Sequence, residues 1–427
     1  MTPTLAQGLS PVRESLPNGA VVIVQPTAVM PAVTINATLA TGGLDEPAHC
    51  PGLAYLMAKT LDRGTERRAA SHMATELDDL GVALRTTASR HTVTVSVTCL
   101  TEHFESVLGI VADVIRRPTF PALEVEKRRG EVITAVKQDE DNPAVRVGDE
   151  VLDLLYGPGH PYGRRRKGSV EGLDRIGRDT LVDFHTQHVR PSVLSLVVVG
   201  DVTTDAVFER AAMEFGDWDG APARAVVVPP PPATLARRQR VIGMPGKSQA
   251  DIAYGFTTIS RLDPRYYAYW IMNNVLGQFG LGGRLADNIR ERQGMAYYAF
   301  SSLDGTIGEG PLLVRAGVDP RDVDRALAAI DHEVRALGEH GPTLAEFEQS
   351  REFIIGSIPR MFETNLSIAE FLQATEQFGL GLDHDRRLPD LLRAVTIDDV
   401  RAAAAEVLSP GRAAVAVAGP LTEPACA

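Results

Sequence analysis

Ile176-Gly-Arg-Asp-Thr-Leu181, followed by Pro191-Ser-Val-Leu-Ser-Leu-Val-Val-Val-Gly-Asp-Val-Thr203, recurs later in the chain. The second copy is Val395-Thr-Ile-Asp-Asp-Val400 followed by Pro410-Gly-Arg-Ala-Ala-Val-Ala-Val-Ala-Gly-Pro-Leu-Thr422. The offset is a constant 219 residues, so Pro191 matches Pro410 and Gly200 matches Gly419. Each copy reads as a helix capped near an Asp, a proline break, and a strand ending in glycine. A period this long means a duplicated domain, because solenoid repeats are far shorter. Upstream, Pro121-Ala-Leu-Glu-Val-Glu opens a long helical stretch, as Pro342-Thr-Leu-Ala-Glu-Phe does in the second half. Proline in the first helical turn suits both starts.

Strands surround these repeats. Gly19–Gln25 and Ala32–Ala40 are strand-like, with a turn at Pro17-Asn18-Gly19. Thr92-Val-Thr-Val-Ser-Val-Thr98 alternates strictly, which predicts one buried and one polar face. In the second half, Ala250–Phe256 and Gly310–Gly317 take the strand roles, and Tyr266–Leu276 and Pro320–Gly338 are helical by spacing. The reading is α+β: two homologous domains, each a mostly antiparallel sheet with helices packed on one face. Boundaries fall at residues 1–218 for the first domain and 237–427 for the second. Between them, 219–236 forms a linker whose Val-Val-Val-Pro-Pro-Pro-Pro run is semi-rigid and extended.

A length of 427 residues suits two domains of ordinary size. With 44% hydrophobic and 23% charged residues, the balance is globular. A net charge of -12 argues against nucleic acid as a partner. The basic clusters Arg164-Arg-Arg-Lys167 and Arg237-Arg238-Gln-Arg240 are short and not interleaved with aromatics. Three cysteines, Cys50, Cys99 and Cys426, without CxxC spacing, fit a reduced cytoplasmic protein. No export signal or membrane span is expected, since the apolar runs are strand-length.

The stretch Gly52-Leu-Ala-Tyr-Leu-Met-Ala-Lys-Thr-Leu-Asp-Arg-Gly64-Thr65 resembles the signature helix of the M16 (pitrilysin, or inverzincin) metallopeptidases. In that family Gly-x-Ala leads into His-x-x-Glu-His, and Gly-Thr closes the segment. The resemblance lays the first histidine on Tyr55, the general-base glutamate on Ala58 and the second histidine on Lys59. The third ligand, a glutamate, falls on Ala135, and a glutamate seven residues earlier falls on Arg128. It covers nearly the whole chain, including His160-Pro-Tyr-Gly163 and the strand end at Gly200-Asp201. It implies the LuxS/MPP-like metallohydrolase fold, with two α+β domains enclosing a chamber. It also implies that this chain holds no metal. A catalytic zinc needs three N, O or S donors. Alanine has none, and a lysine ammonium has no lone pair. Ala58 removes the base that would deprotonate bound water.

A second element is kept. Leu276-Gly-Gln-Phe-Gly-Leu-Gly-Gly-Arg284 precedes Ile289-Arg290-Glu291-Arg-Gln-Gly294-Met295-Ala296-Tyr297. It looks like the second-domain element in which an arginine and a tyrosine seven residues apart face the zinc. Arg290 and Tyr297 match in type and spacing. A guanidinium and a phenol can donate hydrogen bonds to a peptide carbonyl and steady its oxyanion. Gly282, Gly283 and Arg284 are expected at the substrate, since glycines let a backbone come close. The plainer alternative is a helix capped at Gly294 with a core tyrosine after it.

Together these features resemble the non-zinc subunit of two-chain M16 peptidases. The implied partner is a paralogous subunit carrying His-x-x-Glu-His and the zinc, and the implied substrate is a peptide or unfolded segment bound along a sheet edge. Two alternatives stand beside this: a purely structural core-type subunit, and a peptide-binding module without catalysis. His185-Thr-Gln-His188 lacks a third ligand nearby, and His332-Glu333 fails as a zincin motif because Ala336 ends it. The glycine run lacks the Gly-Lys-Ser/Thr ending of a phosphate loop.

Overall fold

The computed structural model describes residues 8–222, 227–278 and 282–421. Residues 223–226 of the expected linker, Phe279 to Leu281 of the glycine run, Thr422 and Cys426 lie outside the described residues. The chain folds into two compact units, and neither is a contiguous stretch. The first comprises residues 1–136, 165–227 and 359–387, and the second comprises 137–164, 228–358 and 388–427.

The first unit is built on strands β1 (Val12–Ser15), β2 (Val21–Pro26), β3 (Ala32–Leu39), β4 (Arg85–Ala88), β5 (Val93–Leu100) and β6 (Leu194–Gly200). Their order is β1-β2-β6-β3-β5-β4, antiparallel except where β2 runs parallel to β6. The alternation expected over 92–98 is seen in β5. Val93, Val95 and Val97 are buried, while Thr94 and Thr98 pair through their hydroxyls with Thr38 and Thr34 at 3.0 and 2.8 Å.

The second unit is built on β7 (Arg238–Gly243), β8 (Ala250–Thr257), β9 (Ala296–Leu303), β10 (Pro311–Val318) and β11 (Ala414–Gly419). Its order, β7-β11-β8-β10-β9, repeats that of the first sheet without a counterpart of β1. Here too a single pair, β7 and β11, is parallel. The repeated segments occupy matching places: helix Arg178–His188 leads to β6, and helix Ile397–Val407 leads to β11. The capping residue of the later helix is Thr396, which with Asp399 forms a capping box.

Both faces of the first sheet are covered, which goes beyond the one covered face expected. Val22, Val24, Leu196 and Val198 face a core shared with helices Leu53–Thr60 and Phe104–Arg116. Their neighbours Ile23, Val197 and Val199 face the other way, against Ile368, Ala369 and Leu372 of helix Asn365–Gln377. A strand buried on both sides reads as an unbroken apolar run, as Leu-Val-Val-Val does in β6. The second unit receives the matching helix, Pro143–Tyr156, against β8 and β11. At Gly255 of β8, a Cβ would stand 3.0 Å from Leu155 and 3.1 Å from Val151. Each unit thus takes one covering helix from the other half of the sequence.

Candidate functional site

Helix Leu53–Thr60 starts without a capping side chain of its own. Gly52 precedes it at φ 96, and a Cβ there would lie 2.5 Å from the Lys167 carbonyl oxygen. Buried Glu46 closes the start instead: its carboxylate accepts from the Gly52 N–H at 3.0 Å and the Ala54 N–H at 2.8 Å. An acid on helix N–H groups also complements the dipole. The far end is fixed at Gly64 (φ 132) and Thr65, whose hydroxyl donates to fully buried Asp113 at 2.5 Å. Asp113 also accepts from Arg68 at 3.0 Å. Neither Glu46 nor Asp113 was apparent as a structural anchor in the sequence, because each acts across a loop.

With both ends held, Leu53, Leu56, Met57 and Ala58 point into the core, and Tyr55 and Lys59, one turn apart, are half-buried at a cleft of about 790 Å³. Arg128 and Ala135 of helix Ala122–Glu140 line the same cleft. Four of the five degenerate positions therefore converge, and Ala58 belongs to the core at 1% exposure. The Lys59 ammonium lies 5.6 Å from the centre of the Tyr55 ring. Arg128 is engaged by Glu131 at 2.5 Å and Glu124 at 3.8 Å. This donor set does not fit zinc. It offers a phenol, two cations and a methyl group where three lone-pair donors are needed. Among the described residues, no group of three or more His, Cys, Asp or Glu is placed to hold a metal ion.

In the second unit, the α-helix Tyr266–Asn273 continues as a π-helical turn, Asn274–Gln278, and a second π-helical segment spans Ala286–Arg292. Such turns recur at functional sites. The glycines between them serve packing. A Cβ at Gly283 would stand 2.6 Å from the Gly277 Cα, and one at Gly277 would stand 2.9 Å from the Ser301 nitrogen of β9. Arg284 is held by Glu346 and by the Gly341 carbonyl at 3.2 Å. Gly283 and Arg284 thus have internal partners. Gly282 is exposed.

Gly294 (φ 62) ends the second π segment, its N–H donating to the Arg290 carbonyl. Arg290 keeps 44% of its side chain exposed and has Glu291 at 3.6 Å. β9 is the sheet's edge, and its register slips at Tyr297: Tyr298 pairs with Gly317, whereas Ala296 pairs with Val318. Tyr297 is therefore the extra residue of a bulge, a device that re-aims a side chain. It is 83% exposed. The tyrosine tied to the fold is its half-buried neighbour Tyr298, whose hydroxyl donates to Asp251.

The remaining candidates have structural partners. His185 bonds the Ile115 carbonyl at 2.8 Å, and His188 packs on Phe184. Glu333 accepts from Asn288 at 2.6 Å. Arg237 forms an ion pair with Asp331, and Arg240 one with Glu150. Among the described residues no helix is long and apolar enough to cross a membrane.

Two family profiles match consecutive parts of the chain. Residues 21–158 match the insulinase (peptidase family M16) profile, and residues 175–353 match the profile described as peptidase M16 inactive domain. The chain belongs to the M16 peptidase family. Among curated relatives, an uncharacterized zinc protease of Streptomyces coelicolor is 25% identical over 416 residues, covering 96% of this chain and 90% of its own length. One from Mycobacterium leprae is 27% identical, covering 96% and 91%. A crystal structure of a peptidase M16 inactive domain from Pseudomonas fluorescens superposes with a TM-score of 0.89 at 23% identity, covering 97% of this M16 chain and 99% of that one. The two-sheet α+β architecture is thus that of the M16 family.

Proposed function

We propose that this chain is the non-zinc subunit of a heterodimeric M16-type peptidase. It forms half of a peptide-binding chamber and supplies Arg290 and Tyr297 to the active site of a paralogous partner that carries His-x-x-Glu-His and zinc. The observation that carries this reading is the exposed Tyr297. A bulge presents its phenol to solvent in a chain whose own metal positions hold no usable donors. A phenol committed to the fold would be shielded and bonded, as that of half-buried Tyr298 is.

Activation of the attacking water falls to the partner. The roles left to this chain are to bind an extended peptide and to donate hydrogen bonds to the carbonyl oxygen as it gains charge. Donors aimed at such an oxyanion are among the larger contributions to hydrolysis. Arg290 suits this because a planar guanidinium presents several donors in a fixed fork. Two free, buried cysteines, Cys50 and Cys99, support a cytoplasmic location.

The test is reconstitution. The native protein is co-purified with its companion, and peptide cleavage is compared for the chain alone, the companion alone and the mixture. Activity in the mixture that is lost in Arg290→Ala supports the shared site. Activity indifferent to Arg290 and Tyr297 would leave a structural subunit.

A further inference from the structure

The cleft of the first unit is more than a lost metal site. Four cations line it: Lys59, Arg63, Arg85 and Arg128. Two are neutralised, Arg63 by Asp62 at 3.0 Å and Arg128 by Glu131 and Glu124. Among the described residues, Lys59 and Arg85 have no carboxylate within 4 Å. Three acids share the lining. Asp62 and Glu131 are the partners just named, and exposed Glu370 is the remaining one. Unpaired positive charge therefore exceeds unpaired negative charge here, in a protein whose net charge is -12.

The position of this charge is informative. Arg85 is exposed on β4, the edge strand, which pairs only with β5 and leaves its other edge open for an added strand. Lys59 is half-buried, which removes part of its hydration, and lies against an aromatic ring. A half-buried ammonium with no carboxylate in direct contact is a strong site for an incoming carboxylate.

We infer that this cleft binds a carboxylate carried by an extended peptide, through Lys59 and Arg85. The inference deepens the proposed function by naming a substrate class for this peptide-binding subunit, and it rests on that reading. Two sources share the chemistry: an Asp or Glu side chain, and the carboxylate at a peptide's C-terminus.

The experiment uses the full chain alone and fluorescein-labelled ten-residue peptides rich in Thr and Val, read by fluorescence anisotropy. One set carries a single central Glu and its counterpart carries Gln, each with a free or amidated C-terminus. With amidated ends, the Glu peptide is expected to bind about tenfold tighter than the Gln peptide, the usual margin of a charge-assisted bond. Lys59→Met and Arg85→Gln should each reduce that margin to about twofold, and raising salt should narrow it further. If Lys59→Met instead erases a free-acid over amide preference, the chain terminus is the carboxylate source. Circular dichroism checks that both variants fold. Equal affinity for all four peptides, or a Glu preference that survives in the double variant, would overturn the inference while leaving peptide binding intact. Binding of none of them would count against both the inference and peptide binding by this chain.

Discussion

Arg284 grips Glu346 with two parallel bonds, Nε to Oε1 at 2.7 Å and Nη2 to Oε2 at 2.8 Å. The same carboxylate accepts from the Thr343 backbone N–H and hydroxyl, each at 2.8 Å, closing the capping box of helix Leu344–Ser357. Burial alone would raise the Glu346 pKa. The bonds from Arg284 and Thr343 outweigh it and bring the carboxyl to about 2. A carboxyl depressed on folding adds stability above its unfolded pKa, near 4.5, and that stability is lost as pH falls towards 2. Glu346→Gln should therefore cost about 1–2 kcal/mol at pH 7. In urea unfolding, the gap from wild type should shrink steadily between about pH 4.5 and 2.5. A gap independent of pH would show that the pairing contributes nothing.

Tyr297 and Arg290 are exposed, so their replacement should leave the fold intact. Tyr297→Phe and Arg290→Ala should each unfold within about 0.5 kcal/mol of wild type, as surface substitutions do. In the reconstituted pair, loss of one oxyanion donor should lower kcat by roughly 10²–10³. Steady-state kinetics beside thermal unfolding separates the two effects. A parallel fall in stability would make these residues part of the scaffold.

Gly283 tests the packing account of the glycine run. Gly283→Ala places a methyl 2.6 Å from the Gly277 Cα, backbone that cannot swing aside. Overpacking of this kind should cost about 1–3 kcal/mol. Gly294→Ala meets no neighbouring atom within 4 Å, so its cost should come only from the positive φ of 62 and amount to about 1 kcal/mol. Denaturant midpoints rank the two, and a cheap Gly283→Ala would return that glycine to the substrate side.

Asp113 tests the anchor beyond the degenerate helix. It is fully buried between Thr65 and Arg68, with Arg117 at 3.8 Å. Asp113→Ala should destabilise by about 3 kcal/mol, because removing one member strands its buried partners. Asp113→Asn keeps the shape and a carbonyl acceptor, so it should lose less. Equal losses would mean that charge, rather than shape, holds Thr65.

Much of this architecture is legible in the sequence because its signals are local. The strict Val/Thr alternation marks β5, and the 219-residue repeat marks β6 and β11. Pro342 marks the start of helix Leu344–Ser357 to within two residues, although it stands one residue before the cap Thr343, outside the first turn. The helix exchange is not legible. A helical period shows which side of Pro143–Tyr156 is apolar, but not which sheet that side will cover. Nor is the bulge at Tyr297, since a register slip depends on the partner strand as much as on β9 itself. The spacing of Arg290 and Tyr297 therefore points to a pair, while the separation of Tyr297 from Tyr298 needs the ladder. Arg284 misleads for a similar reason, its partner Glu346 being 62 residues away.

The convergence of Tyr55, Lys59 and Ala135 on one cleft allows a direct test of the frame. Tyr55→His, Lys59→His and Ala135→Glu together restore two imidazoles and a carboxylate, the donor types that zinc takes with one position left open. The triple variant should bind one zinc per chain by calorimetry, and the parent chain none. Arg128 stays in the cleft as a repulsive charge, so adding Arg128→Gln should tighten binding further. Ala58→Glu behaves differently. Ala58 belongs to the hydrophobic core, and an unpaired carboxylate there should cost several kcal/mol of stability. Metal can therefore be returned to this chain more readily than the general base. A triple variant that binds no zinc would show that the three positions, though they share a cleft, do not share a centre.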